Sequence, residues 1–305
     1  ANADWSISGD LQVESGGELV TGANTVSIDL VSDIDGTLTV SNSGTYDCNG
    51  LSDIDGTVSI GTGTYDADGE FNANSGNVTF TAAGNLNLSN TVTDLGTFTK
   101  STGTVTYDEA DAQTVDNVDY HHLVISGGAT KSLSNTTNVG GDLTVTAAST
   151  VLAVGSNTID VNGTTAISSS GTVTVSTGTF DADGTMNCSA NFTFTDAGAL
   201  NLSNTVTDLG TFTKSTSTVT YDEADAQTID NVTYNNLIID QNATKTAANN
   251  LDIDGNLTLT NSTTLSMSGS NYTLDLEGDF TITSGTFTAG SGNHDVVGNW
   301  DDSGT

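Results

Sequence analysis

Three observations predict an all-β protein: one elongated parallel β-helix (β-solenoid) of about 13–14 coils of 20–23 residues, continuous over 1–305. The first is an internal duplication. Leu86–Asn117 returns 114 positions later as Leu200–Asn231, identical at 30 of 32 positions, with only Gly103 against Ser217 and Val115 against Ile229 differing. The second is a rhythm in which a glycine followed by an alternating strand recurs every 20 to 23 residues. The third is period-two alternation of apolar and polar residues in short segments, with no long window carrying the i, i+3, i+4, i+7 pattern of a helix.

Along the chain, the rhythm begins at Gly36, Gly56 and Gly76 and returns from Gly163 to Gly184 and at Gly255, Gly278 and Gly298. Leu38 and Val40 are flanked by Thr37, Thr39 and Ser41, and Val173/Val175, Leu257/Leu259 and Phe280/Ile282 repeat the pattern. Alternate residues of a strand face opposite sides, so the apolar set points inward and the threonines outward. Branched side chains suit such a pleated surface. Around the near-identical block a looser match spans 81–146 and 195–260, with Lys131 over Lys245, Gly141 over Gly255 and Leu143 over Leu257. A β-sandwich explains the alternation but not a rhythm held along the whole length. Only 34% of residues are hydrophobic, thin for a globule but sufficient when each coil buries its face on its neighbours. Regular alternation, with seven Tyr and nine Phe mostly at strand positions, argues against disorder.

Charge narrows the function. Lys100, Lys131, Lys214 and Lys245 are the only basic side chains besides histidine, against 38 acidic residues, giving a net charge of −34. Such a chain has nothing with which to neutralise phosphates, which excludes ordinary nucleic-acid binding and disfavours docking to anionic membranes. Its surface is heavily hydrated and suited to high salt or to cations.

The aspartates are arranged. DIDG occurs at Asp33–Asp35, Asp53–Asp55 and Asp252–Asp254, and DADG at Asp66–Asp68 and Asp181–Asp183. In D-x-D both carboxylates lie on one strand face, and the first two DIDG copies, 20 residues apart, fall on adjacent coils. Four carboxylates within about 5–7 Å repel unless a proton or cation intervenes. The expectation is therefore a Ca²⁺ site at Asp33, Asp35, Asp53 and Asp55, with Asp252 and Asp254 as a further pair, because hard oxygen ligands suit that ion. The plainer reading of each Asp-Gly is a turn in which Asp accepts backbone hydrogen bonds. Neither an EF-hand loop nor a nonapeptide Ca²⁺ repeat is present.

Cys48 and Cys188, six or seven coils apart, are too distant for a disulfide and read as buried small hydrophobes. His121-His122 resembles a metal or catalytic pair until the duplicate is consulted, where Asn235-Asn236 stand in the same places. No apolar run reaches the 18 residues of a membrane span. The start at Ala1 without Met suggests a processed, secreted protein, and frequent N-x-[ST] sequons are open to glycosylation.

Neither end of the chain reads as capped, and exposed strand edges invite pairing with another chain. Trp5, Ile7 and Leu11 at one end and Val297 and Trp300 at the other are the candidate self-assembly residues. A head-to-tail contact of this kind does not close and generates a filament, whereas a fragment of a longer repeat protein leaves the same signature.

GTVTYDEADAQTVDNVDYHHLVISGGATKSL and GTFTAGSGNHDVVGNW resemble the repeats of large secreted prokaryotic surface proteins, parallel β-helices of adhesin or extracellular-matrix type. The resemblance covers roughly 36–300 and implies export, surface display and a structural or adhesive role, with no catalytic residues to carry over. The expected function is an extracellular fibre subunit, its partner a second copy of itself. The alternative is a cell-surface adhesin or stalk module that binds a glycan or protein. Polysaccharide-degrading β-helices are disfavoured: a lyase leans on a basic residue, the chain has no Arg, and the repeated carboxylate pairs lack the two distinct environments of an active site. Ice binding is disfavoured because Thr91-Thr93, Thr97-Thr99 and Thr104-Thr106 fall on successive faces.

Overall fold

The computed structural model describes residues 3–268 and 271–303. It is all-β, a parallel β-solenoid of about 15 turns. That is slightly more than the coil rhythm suggests, because several turns are short: Thr45 pairs with Thr64 and Thr104 with His122, 19 and 18 positions on. Longer turns occur late, where Leu251 pairs with Leu274 and Leu257 with Phe280. Two compact units are present, Ala1–Ala153 and Val154–Thr305.

In the first unit the early turns carry three strands each, and every strand pairs in parallel with its equivalent one turn on. One face stacks Trp5–Ile7, Thr25–Ile28, Thr45–Cys48, Thr64–Ala67, Asn85–Leu88 and Thr104–Tyr107. The next stacks Leu11–Val13, Ser32–Ile34, Ser52–Ile54, Phe71–Asn72 and Val92–Asp94. The third stacks Glu18–Val20, Thr37–Val40, Thr57–Ile60, Asn77–Phe80 and Thr97–Thr99. The second unit repeats the plan. There, Leu251–Ile253, Leu274–Leu276 and His294–Val296 share one face, Leu257–Leu259, Phe280–Ile282 and Trp300–Asp302 another, and Thr263–Ser266 and Gly285–Thr288 the third.

The strands show the alternation read from the sequence, half-exposed then buried, as in Thr37–Val40 and Thr172–Val175. Inward residues form columns one side chain wide, such as Val26–Tyr46–Tyr65–Leu86–Val105. Each member is shielded by the turn above and the turn below, so little apolar residue is needed per turn. Tyr46 and Tyr65 stack at 5.0 Å and Tyr65 meets Phe71 edge-on at 5.7 Å. Cys48 and Cys188 are free and fully buried in such columns, and burial pushes the Cys188 thiol up to about 11.

The glycine rhythm has a steric cause. At Gly56 a Cβ would lie 2.1 Å from the Gly36 carbonyl oxygen, and at Gly36 one would lie 2.4 Å from that of Gly17. The backbones of successive turns touch at this corner, and only glycine permits it.

Candidate functional site: acid ladders, a threonine face and open strand edges

The parallel register turns the D-x-D text into columns of carboxylates. Asp33 pairs with Asp53, and the column continues outward to Gln12 on one side and Asn72 on the other. Gln12 Nε2 donates to Asp33 Oδ2 at 3.0 Å, and Asn72 Nδ2 donates to Asp53 Oδ1 at 3.3 Å. Two like charges on neighbouring rungs, about 4.8 Å apart, are thus bracketed by neutral amide donors. The adjacent face builds the same device. Asp47 pairs with Asp66, Ser27 Oγ donates to Asp47 Oδ2 at 2.9 Å, and Asn87 bonds Asp66.

Burial pushes the Asp53 carboxyl above the usual range, and Asp55, Asp33, Asp35 and Glu70 push it the same way. Asp35 and Asp55 lie in the exposed bends after the strands, and their backbone amides donate to the carbonyls of Val13 and Ile34 one turn back. Among the described residues, no group of three or more His, Cys, Asp or Glu converges closely enough to enclose a metal ion.

In the second unit Asp252 stands in a longer column with Asp275 and Asp295, begun by Thr233, whose Oγ1 donates to Asp252 Oδ2 at 2.9 Å. Asp254 leaves the ladder and pairs with the Lys214 ammonium. Asp160 and Asp181 form another pair, with Asn201 bonded to Asp181, and burial raises both carboxyls. The amide and hydroxyl ends of these columns, and the members Asp275 and Asp295, escape a search for D-x-D. The signal that finds them is position: 252, 275 and 295 are spaced by one turn each.

The duplicated block is a structural cassette. Lys131 is fully buried, and its Nζ donates to the backbone carbonyls of Glu109, Asp111 (3.0 Å) and Gly128 (2.7 Å). Lys245, also fully buried, repeats this on Glu223 and Asp225 (3.0 Å). Desolvation lowers both ammonium pKa values while the neighbouring carboxylates oppose it. The hydroxyls of Tyr107 and Tyr120 meet at 2.9 Å, as do those of Tyr221 and Tyr234. Asp116 Oδ2 accepts the Leu95 amide at 2.8 Å, and Asp230 Oδ2 that of Leu209 at 2.7 Å. A register shift falls at the same place in each copy: Val92 and Asp94 pair with the consecutive residues Phe71 and Asn72, and Val206 and Asp208 with Met186 and Asn187. The same polar contacts thus recur in both copies. The histidine pair belongs to the same scaffold: His122 Nδ1 accepts the Asp142 amide at 2.9 Å, as Asn236 Oδ1 accepts that of Asn256 at 2.9 Å.

The third face of the first unit is different. Its outward residues begin with Glu18 and Val20 and continue as Thr37 and Thr39, Thr57 and Ser59, Asn77 and Thr79, Thr97 and Thr99, stacked rung on rung without a bulge. From Thr37 to Thr99 this row carries no charge. Thr91-Thr93, Thr97-Thr99 and Thr104-Thr106 do fall on three faces as the spacing implied, yet on this face Thr37-Thr39 and Thr97-Thr99 stand in the same columns as Thr57, Ser59 and Thr79, one rung per turn. Sequence reasoning missed that because it compared neighbours in the chain instead of neighbours one turn apart.

Trp5–Ile7, Leu11–Val13 and Glu18–Val20 pair on one side only among the described residues, and so do Gly285–Thr288, His294–Val296 and Trp300–Asp302 in the second unit. Trp5 is 54% exposed, Val20 50%, Val297 63% and Trp300 50%, while Ile7 and Leu11 are half-buried. Val20 is an addition to the sequence-derived set.

No protein-family model, no curated protein and no solved structure matches this chain.

Proposed function

We propose that the chain is an extracellular structural protein, and that its copies stack end to end through their open strand edges into a fibre or stalk. The observation that carries this reading is the parallel solenoid itself, in which each strand pairs in register with its equivalent one turn on, so that a turn of one copy can add to a turn of another by the same ladder. An unpaired strand row is a template for another strand, and apolar side chains beside it gain from cover. The contact is heterologous, so it propagates. With 38 acids against four lysines, joined copies need counter-ions, and the reading places Ca²⁺ or another divalent cation along the acid ladders as a bridge between rungs.

Negative-stain electron microscopy of the purified chain, with and without millimolar Ca²⁺, tests this. Uniform filaments with an axial repeat of one subunit are expected. Isolated short particles at all protein and cation concentrations overturn it.

A second reading rests on the uncharged stretch of the third face from Thr37 to Thr99. Its hydroxyls recur at about 4.8 Å between rungs and about 6.7 Å within a strand, an array able to order water. Ice-recrystallisation assays test it. Inhibition abolished by Thr57→Lys and Thr79→Lys is expected, and crystal growth identical to buffer refutes it.

A further inference from the structure

Seven dipeptides of Asp or Asn followed by Gly stand in bends that follow strands: Asp35-Gly36, Asp55-Gly56, Asp68-Gly69, Asp183-Gly184 and Asp254-Gly255, with Asn49-Gly50 and Asn162-Gly163. At each, the glycine backbone nitrogen can attack the preceding side-chain carbonyl carbon Cγ, since no Cβ on the glycine hinders the approach. The fold treats them unequally. The amides of Gly36, Gly56, Gly184 and Gly255 donate to the carbonyls of Val13 (2.8 Å), Ile34 (2.6 Å), Val161 (3.4 Å) and Asn235 (2.8 Å), one turn back. An amide held in this way cannot turn toward the side chain without losing its bond. The amides of Gly50 and Gly163 have no acceptor among the described residues, and both asparagines are exposed. Gly69 shares this freedom, but Asp68 presents it with a carboxylate, a poorer electrophile than a carboxamide.

The register shows what the two asparagines do. In the first unit Asp29, Asn49, Asp68, Ser89, Asp108 and Ser126 each follow the last residue of a strand, and the amide of each donates to the strand one turn back. They form one column along the corner, in which acids alternate strictly with neutral residues. Ser89 Oγ donates to Asp108 Oδ1 at 2.8 Å. Asn49 holds the equivalent place between Asp29 and Asp68, its Nδ2 donating to the Ile28 carbonyl at 3.3 Å. In the second unit Asn162, Asp183, Ser203 and Asp222 run the same way, with Ser203 Oγ donating to Asp222 Oδ1 at 2.9 Å. Both asparagines are therefore neutral spacers beside an acid.

We propose that Asn49 and Asn162 are self-modifying sites that turn these spacers into acids. The glycine nitrogen attacks the asparagine Cγ, the new N–Cγ bond closes a succinimide ring, and Nδ2 leaves as ammonia with the proton given up by the glycine amide. Water then cleaves one of the two imide C–N bonds. Cleavage at Cγ leaves aspartate, and cleavage at the main-chain carbonyl carbon leaves isoaspartate. Each event adds one negative charge. A carboxylate at position 49 completes three on successive rungs, with Asp29 and Asp68 about 4.8 Å to either side. Isoaspartate also adds a carbon to the main chain where there is no room for one, since a Cβ on Gly50 would lie 2.0 Å from the Leu30 carbonyl oxygen. The reaction loosens the corner in which it occurs. Asn162, whose side chain has no hydrogen bond among the described residues, reacts before Asn49.

Incubation of the folded chain in mildly alkaline buffer, followed by peptide mapping and an isoaspartate assay, tests the sites. The peptides holding Asn162 and then Asn49 are expected to gain about 1 Da each and to acquire isoaspartate, with ammonia released in step. The four corners whose glycine amides are bonded are expected to stay unmodified. Reaction confined to the urea-unfolded chain, or isomerisation at the bonded corners as fast as reaction at Asn49 and Asn162, overturns the assignment. Two variants test the spacer role. N49D is expected to melt about 2–4 °C below the parent at pH 7, because it places like charges on three adjacent rungs. N49S, which copies Ser89, is expected to keep the parent Tm and to abolish reaction at this corner. An N49D chain that melts with the parent, or an N49S chain that melts with N49D, overturns the spacer role.

Discussion

Replacing Lys131 by methionine tests whether the duplicated block is held by its buried ammonium. The side chain is fully buried and its three bonds all go to backbone carbonyls, those of Glu109, Asp111 and Gly128. Methionine keeps the volume and removes the charge. Three half-buried carbonyls then lose their donor, at about 1–3 kcal/mol each. Against this, the several kcal/mol needed to desolvate the ammonium no longer applies. The balance is a loss of about 2–4 kcal/mol, and Lys131→Ala adds the transfer energy of the lost methylenes, about 0.8 kcal/mol apiece. The second copy is an internal control. Lys245→Met removes a bond to Glu223 and one to Asp225, so the loss is expected to be smaller. Urea unfolding followed by tyrosine fluorescence measures both, with amide exchange of 108–114 and 222–228 locating the change. A Lys131→Met variant as stable as the parent, with full protection of 108–114, refutes the claim that the loop is clamped by the lysine.

Three further outcomes follow from the same geometry. The carboxyls of Asp53, Asp66, Asp68, Asp160, Asp181 and Asp222 are all raised, with burial as the largest cause in each. Such groups favour the folded state when protonated, a contribution complete below the unfolded value near 3.9 and lost as pH rises through the higher folded value. Thermal unfolding is therefore expected at higher temperature at about pH 4.5 than at pH 7, the reverse of ordinary acid denaturation, and a Tm that only falls on acidification contradicts the ladder electrostatics. Gly56→Ala places a Cβ 2.1 Å from the Gly36 carbonyl oxygen and is expected to cost on the order of 3 kcal/mol, measured by denaturant midpoint; a neutral result dismisses the touching corner. His122→Asn substitutes the residue that does the same work at Asn236, so Tm is expected to change by less than about 1 °C, and a loss of several degrees would show that the imidazole has a separate role.

Much of the fold was legible because the solenoid writes its period into the text. Leu38 and Val40 between threonines give the inward column, and Gly36 to Gly56 gives the turn. The DIDG copies at 33–35 and 53–55 stack as their spacing requires. What escaped is what depends on neighbours one turn away. Gln12 and Asn72 bear no motif, yet they bracket Asp33 and Asp53 because the register puts them there. Lys131 was visible only as a match to Lys245; its burial follows from a loop whose carbonyls turn inward, which no side-chain pattern announces. The turn count differed because turns as short as that from Thr104 to His122 drop corner residues without disturbing the strands.

The buried lysines also decide how the molecule meets proteolysis. With no arginine in the chain, trypsin-like enzymes can cut only after lysine, and Lys131 and Lys245 are sealed inside the winding. Lys100 and Lys214 are the remaining sites, and Lys214 is tied to Asp254. A protein of 305 residues thus presents two cleavable bonds while folded and four once opened, so its digestion pattern reports opening of the duplicated blocks directly. In surroundings rich in such enzymes, a surface this poor in cations is a form of durability.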